Sequence, residues 1–286
     1  MRYLDPKNDI TFKKVFGEHP HLLKSFLNAL LPLEKDQVIE SLEYLTPELT
    51  PVVPLLKNSV VDVRCKDNKG RQFIVEMQMS WTTSFKQRVL FNASKAYVKQ
   101  MEVGENFKLL QPVYALNLVN EVFLPEMPGF YHHFKIVHIE NITEQIKGLE
   151  FIFVELPKFK PHKIIEKKLQ VLWLRYLTEV EGKSEEISKD LTDNMEIKEA
   201  IDYLKESSFT KEELDYYEKY WDIVSREKTL IEESEEKGEI KGEIKGVIKG
   251  VIKGVNKVAI KMKQKGYTIE EIIEMTGLSK EEIEKL

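Results

Sequence analysis

The sequence predicts an α/β protein: an α-β-β-β-α-β core followed by an α-helical C-terminal region. Three observations predict it. Apolar residues at helical spacing open the chain, strand-like segments joined by a tight turn follow, and from about His162 helical spacing takes over.

Ile10, Phe12, Val15, Phe16, Leu22, Leu23, Phe26, Leu27 and Leu30 recur at helical spacing over residues 9–31. Gly17 and Pro20 divide this stretch into two short helices, and Pro32 stops the second. Residues 38–45 read as a first strand, and Pro47, Pro51 and Pro54 as a connection. Two strands follow, over about 58–66 and 72–79, joined by Asp67-Asn68-Lys69-Gly70. Ser84 with Gln87 predicts a capping box opening a helix that runs to about Glu102. The nearly unbroken apolar run 111–119 fits a strand buried on both faces, and 133–139 and 151–156 are further strands. Leu169, Leu172, Trp173 and Tyr176 form a later helical stripe, and Thr210 with Glu213 caps a helix running into Tyr217, Trp221 and Val224. The chain thus divides into a core over 1–160, a helical extension packing on it over 161–236, a glycine-repeat helix or linker over 237–265, and a terminal helical hairpin over 266–286.

Bulk properties narrow the class. No apolar run is long enough to span a bilayer, and the N-terminus has no apolar leader. One cysteine, Cys65, excludes a disulfide framework and a cysteine-based zinc site. The expectation is a cytoplasmic protein. The net charge of −5 argues against a nucleic-acid partner, but its distribution does not. Residues 57–108 hold ten basic against five acidic residues, whereas 181–236 hold nineteen acidic against eight basic.

The second and third strands carry the candidate chemistry. A three-residue Asn68-Lys69-Gly70 loop closed by a left-handed glycine sets Asp67 opposite Arg71. The same register sets Asp62 opposite Glu76, with Cβ atoms about 5 Å apart. Val61, Val63, Cys65, Phe73, Val75 and Met77 fall on one face; Asp62, Arg64, Glu76 and Gln78 fall on the other with Val60 and Ile74. Carboxylates this close repel unless a cation lies between them, and oxygen donors open to water suit Mg²⁺ or Mn²⁺. Asp62 and Glu76 are therefore candidate metal ligands and catalytic residues. Gln78 on the same face is a candidate for orienting water or phosphate. An amphipathic hairpin with a wet acidic face would show the same spacing. Arg88, Lys95 and Lys99 on the next helix are candidate DNA-phosphate contacts, or else part of a solvated face.

These residues bring out a resemblance. The run from Asp9 to Gly17, then Asp62, Glu76-Met77-Gln78-Met79, Arg88, Gly104 and Pro112-Val113-Tyr114-Ala115-Leu116 resemble the Rpn family of recombination-promoting nucleases and transposase-like proteins of the PD-(D/E)XK superfamily. The likeness covers roughly residues 1–240. It implies a restriction-endonuclease-like core, divalent-metal-dependent DNA cleavage, and a role in recombination, mobile elements or defence. Gln78 matches the family's E-x-Q form of the E-x-K motif, which leaves the proton acceptor as either Lys66 or a metal-bound water. Phe91-Asn92 departs from the family's pair of tyrosines. Asp9 is either the N-cap of the first helix or an additional metal ligand. The leading expectation is a DNA endonuclease. The alternatives are a weak or inactive nuclease-fold DNA-binding or assembly protein, and an RNA nuclease.

Residues 237–254 repeat Lys-Gly-Glu-Ile and Lys-Gly-Val-Ile. Five glycines would each cost a helix about 1 kcal/mol relative to alanine. The segment is either a helix pairing through its Gly/Ile stripe with a second chain, as a homodimer, or a flexible spacer. Lysine every fourth residue argues against a membrane role. Thr268 with Glu271 and Ser279 with Glu282 form capping boxes around Gly277. The outline is that of a helix-turn-helix, but its last helix is short and acidic, which fits a protein contact better than a DNA groove.

Overall fold

The computed structural model describes residues 2–49, 59–161, 168–182 and 186–286. Pro51 and Pro54 of the predicted connection, Asn58 at the start of a predicted strand, and the start of the helical region at His162 lie outside them.

The first helix, α1 (Asp9–Glu18), is capped by Asn8, whose side chain accepts from the Ile10 amide at 3.1 Å. This corrects the N-cap reading of Asp9. A cap residue needs extended backbone, which Asn8 has, whereas Asp9 already lies in the first turn and reaches Lys13 one turn on. Pro20 opens α2 (Pro20–Leu30), where a missing N–H costs no helical hydrogen bond. Leu31 is extended before Pro32 and ends it.

Strand β1 (Leu42–Tyr44) is shorter than predicted. The predicted strand over 58–66 is broken. Its first part, β3 (Ser59–Val60), pairs with β2 (Glu48–Leu49) in a separate two-stranded sheet, and β4 (Val63–Asp67) resumes after a bend at Val61-Asp62. Then come β5 (Gln72–Gln78), α3 (Phe85–Val98), β6 (Val113–Val119), β7 (Tyr131–Val137) and β8 (Gln145–Glu155). The main sheet has six strands in the order β1-β4-β5-β6-β8-β7. Its centre, β5-β6-β8, is parallel, with antiparallel partners on either side. Ser84 makes no capping bond to α3, because its backbone is already helical in a turn begun at Thr82. The predicted box there is absent.

The hairpin turn follows the sequence closely. Gly70 has φ +80°, its amide donates to the Asp67 carbonyl at 3.0 Å, and Asp67 pairs with Arg71. The buried Asp67 carboxylate accepts from the Lys69 and Arg71 amides at 3.0 and 2.9 Å and from Arg71 Nε at 2.8 Å.

The sheet is covered on both faces. Val63, Cys65, Phe73, Val75 and Met77 pack with α1, α2 and α4 (Lys168–Glu179), whose Trp173, Tyr176 and Leu177 are fully buried. Ile74, Val113, Ala115 and Phe153 pack with Phe85, Val89, Ala93 and Ala96 of α3. Val61 joins this second core, contrary to the alternation that placed it with Val63, because the bend resets the facing of the chain.

Helices α5 (Lys189–Thr192) and α6 (Met195–Tyr203) extend the first core, and α7 runs over Lys211–Gln264. Of the two readings of the glycine repeat, the structure has the helix. The chain forms two compact units, Met1–Ser225 and Arg226–Leu286. In the second, α8 (Ile269–Thr276) and α9 (Lys280–Lys285) carry both predicted capping boxes, with Gly277 left-handed between them. Ile272 and Ile283 bury themselves against Ala259 and Met262 of α7. No described helix is long and apolar enough to cross a membrane.

Candidate active site

Glu76 lies one residue past mid-ladder on the central strand β5, on the same face as Ile74, under α3. It is buried, and α3 supplies its partners. Asn92 Nδ2 donates to its Oε1 at 2.9 Å, and Arg88 Nη2 stands 3.5 Å from its Oε2. Arg88 and Asn92 are four residues apart on one helical face, so both reach the same carboxylate. Burial pushes the Glu76 carboxyl up, against the opposing pull of Asn92 and Arg88.

Asp62 comes to the same place by another route. The β4–β5 ladder ends at Val63–Val75, so Asp62 and Glu76 are not a ladder pair as the register predicts. Instead the bend turns the Asp62 side chain toward β5, and its Oδ2 accepts from the Met77 amide at 2.7 Å. The carboxylate takes the place of a backbone acceptor at the ladder's end. Burial raises its pKa most, the Met77 bond opposes, and the charges of Glu76 and Asp9 raise it further, to about 7.

Gln78 lies two residues beyond Glu76 on the same strand. Its amide nitrogen donates to the Ser80 carbonyl at 2.5 Å and its oxygen accepts from Arg88 Nη2. One guanidinium therefore ties Glu76 to Gln78. Asp62, Glu76, Gln78, Arg88 and Asn92 line one open cavity of about 730 Å³, together with Ser59, Ser84 and Phe91.

The three cations predicted along α3 separate. Arg88 lines the cavity and is half exposed. Lys95 does not line it; its ammonium donates to the Leu49 carbonyl at 2.9 Å and lies over the Phe91 ring, clamping β2. Lys99 is exposed on the far end of the helix, and the charges of Arg64 and Lys95 act on it. Lys66 pairs with Glu43 of edge strand β1 at 3.1 Å and takes no place beside Asp62. This removes it as the proton acceptor.

Sequence reasoning missed Asn92 as the partner of Glu76. Its position one helical turn after Arg88 carried that signal. It also missed Tyr216, whose hydroxyl donates to Asp9 Oδ2 at 3.1 Å. No local pattern links two residues so far apart in the chain. His132 and His133 pair with Glu155 and Glu150, each at 2.7 Å, and Cys65 is buried in the core, so these groups hold the fold together.

Asp62 and Glu76 supply a hard oxygen donor set, and each is pushed toward its neutral form by burial. A divalent cation between them would relieve that penalty, so the pair fits one. Among the described residues no group of three or more His, Cys, Asp or Glu side chains converges. Two carboxylates suffice for Mg²⁺, which retains much of its water.

The sequence model of the PD-(D/E)XK nuclease family transposases matches residues 6–234. No curated protein and no solved structure matches the chain.

Proposed function

Because the chain belongs to the PD-(D/E)XK nuclease family, we propose that it is a divalent-metal-dependent DNA endonuclease acting in recombination, mobile elements or defence. The observation that carries this reading is the meeting of Asp62, from the bend before β4, and Glu76, from β5, in one cavity walled by Arg88, Gln78 and Asn92. Asp62 and Glu76 would hold Mg²⁺ or Mn²⁺. The bound cation supplies positive charge to the phosphodiester and to the water that attacks it.

The chain's own residues do the rest. Asn92 fixes Glu76 in one orientation through its amide, leaving Oε2 toward the cavity and Arg88. Arg88, half exposed, offers its remaining donors to a phosphate oxygen. Gln78 is held between Arg88 and Ser80, which suits an orienting group and gives it no means to accept a proton at neutral pH. Lys95 and Lys99 would act on the DNA flanking the cut, through charge rather than contact with the reacting phosphate.

Supercoiled plasmid incubated with Mg²⁺ or Mn²⁺ tests the proposal. Nicked and linear DNA are expected from the wild type, and neither from Asp62→Ala or Glu76→Ala. Undiminished cutting by Asp62→Ala would sink the site. A wild type inactive on DNA but active on RNA in parallel would shift the substrate class.

A further inference from the structure

We propose that Lys13, carried on α1, supplies the fixed positive charge on the Asp62 side of this site and is held there by Asp9 and Tyr216. The proposal rests on the nuclease reading above. The E-x-Q sequence leaves Gln78 where the E-x-K motif has an ammonium, and the Gln78 amide is committed to Ser80 and Arg88. Lys66, on the same strand as Asp62's neighbours, is turned away to Glu43.

Helix α1 fills the gap from the other layer. Phe12, Val15 and Phe16 pack in one core with Val63 and Cys65 of β4, so α1 lies against the strand that follows Asp62. There Lys13 Nζ binds Asp9 Oδ1 at 2.7 Å, and Asp9 Oδ2 accepts from the Tyr216 hydroxyl at 3.1 Å. Two elements distant in sequence thus anchor one ion pair. Lys13, Asp9 and Tyr216 each interact electrostatically with Asp62. An ammonium has three donors, and Asp9 engages one of them. Lys13 does not line the cavity itself; its side chain is 43% exposed, so its charge acts on the site from the Asp62 side with its remaining donors open to solvent. A charge fixed before the reaction stabilises the anionic transition state without reorganising.

The sign of the electrostatics separates this role from a structural one. Removing the ammonium leaves Asp9 uncompensated beside Asp62, which makes the site more negative. Mn²⁺ should then bind Lys13→Met more tightly by calorimetry, while the cleavage kcat falls about 10- to 100-fold with KM little changed. Asp9→Asn should weaken Mn²⁺ binding. Lys13→Arg, which retains the charge, should keep both properties near wild type. Wild-type turnover in Lys13→Met, or weaker Mn²⁺ binding at an unchanged melting temperature, would overturn the proposal. Should the wild type cut no nucleic acid with any metal, the nuclease reading fails on its own. The Mn²⁺ titration still decides the placement of Lys13, since unchanged affinity in Lys13→Met removes it from the site.

Discussion

Burial, reinforced by the neighbouring charges of Glu76 and Asp9, raises the Asp62 carboxyl to about 7 in the folded chain, far above an ordinary aspartate. Between about pH 4 and about pH 7 the unfolded chain has released this proton and the folded chain still holds it. Metal-free stability should therefore fall as pH rises through that window and level off above it. Thermal unfolding in chelator across the window checks this, and Asp62→Asn should flatten the dependence. Added Mn²⁺ should oppose the loss at neutral pH by binding the ionised pair. Asn92 invites a second test. Its amide holds Glu76, so Asn92→Ala should cut Mn²⁺-dependent cleavage by about 10- to 100-fold, as loss of an orienting partner of a ligand does. Cleavage within twofold of wild type would assign Asn92 to packing alone. The sequence displayed Glu76, Gln78 and Arg88 because their placement follows from strand alternation and helical spacing, whereas Asp62 reaches the same cavity through a bend that the register does not contain. It concealed Tyr216 and the assignment of Lys13, because these come near Asp62 only when α1 and the start of α7 pack together.

Local elements differ in how strictly they demand their residues. Gly70 has φ +80°, and a Cβ there would meet Gln111 at 3.2 Å, so both backbone and space oppose a side chain. Gly70→Ala should destabilise the first unit by about 1 kcal/mol or more in urea unfolding. The repeat glycines are the reverse case. Gly238, Gly242, Gly246, Gly250 and Gly254 stand in α7, and a Cβ added at any of them would meet nothing within 4 Å among the described residues, so no contact there requires glycine. Replacing them with alanine should raise helical content by circular dichroism, at about 1 kcal/mol of helix stability each. Reduced helicity would mean that the glycines serve a close contact between chains. The strand over 58–66 shows the limit of local reading. Its alternation is regular through Val61, and nothing in it signals that the chain bends there and delivers Asp62 by its side chain.

At the scale of the molecule, the second unit buries few groups of its own. Ile240, Ile244, Ile248 and Ile252 recur along α7, each 50–54% exposed, while Ala259 and Met262 further on are covered by α8 and α9. We propose that this stripe pairs with its counterpart in a second copy, as a homodimer. Sedimentation equilibrium should give a dimer for the wild type and a monomer for Ile244→Lys combined with Ile248→Lys. An unchanged mass for that variant would reject the stripe as the interface. Cutting by the monomeric variant would show that dimerisation is dispensable for catalysis, since Asp62 and Glu76 both belong to one chain's first unit.

By itself the sequence determined the α/β class, the left-handed Gly70 turn and the terminal capping boxes. Each depends on contacts between near neighbours, or on a two-residue alternation across one short hairpin. Only the tertiary structure decided that Asn8 rather than Asp9 caps α1, that Lys66 pairs with Glu43, that Val61 changes sides, that a bend delivers Asp62 to β5, and that Asn92 holds Glu76. Those outcomes depend on which layers pack on the sheet and where a strand bends. Residues distant in the chain settle both, and no local spacing encodes them.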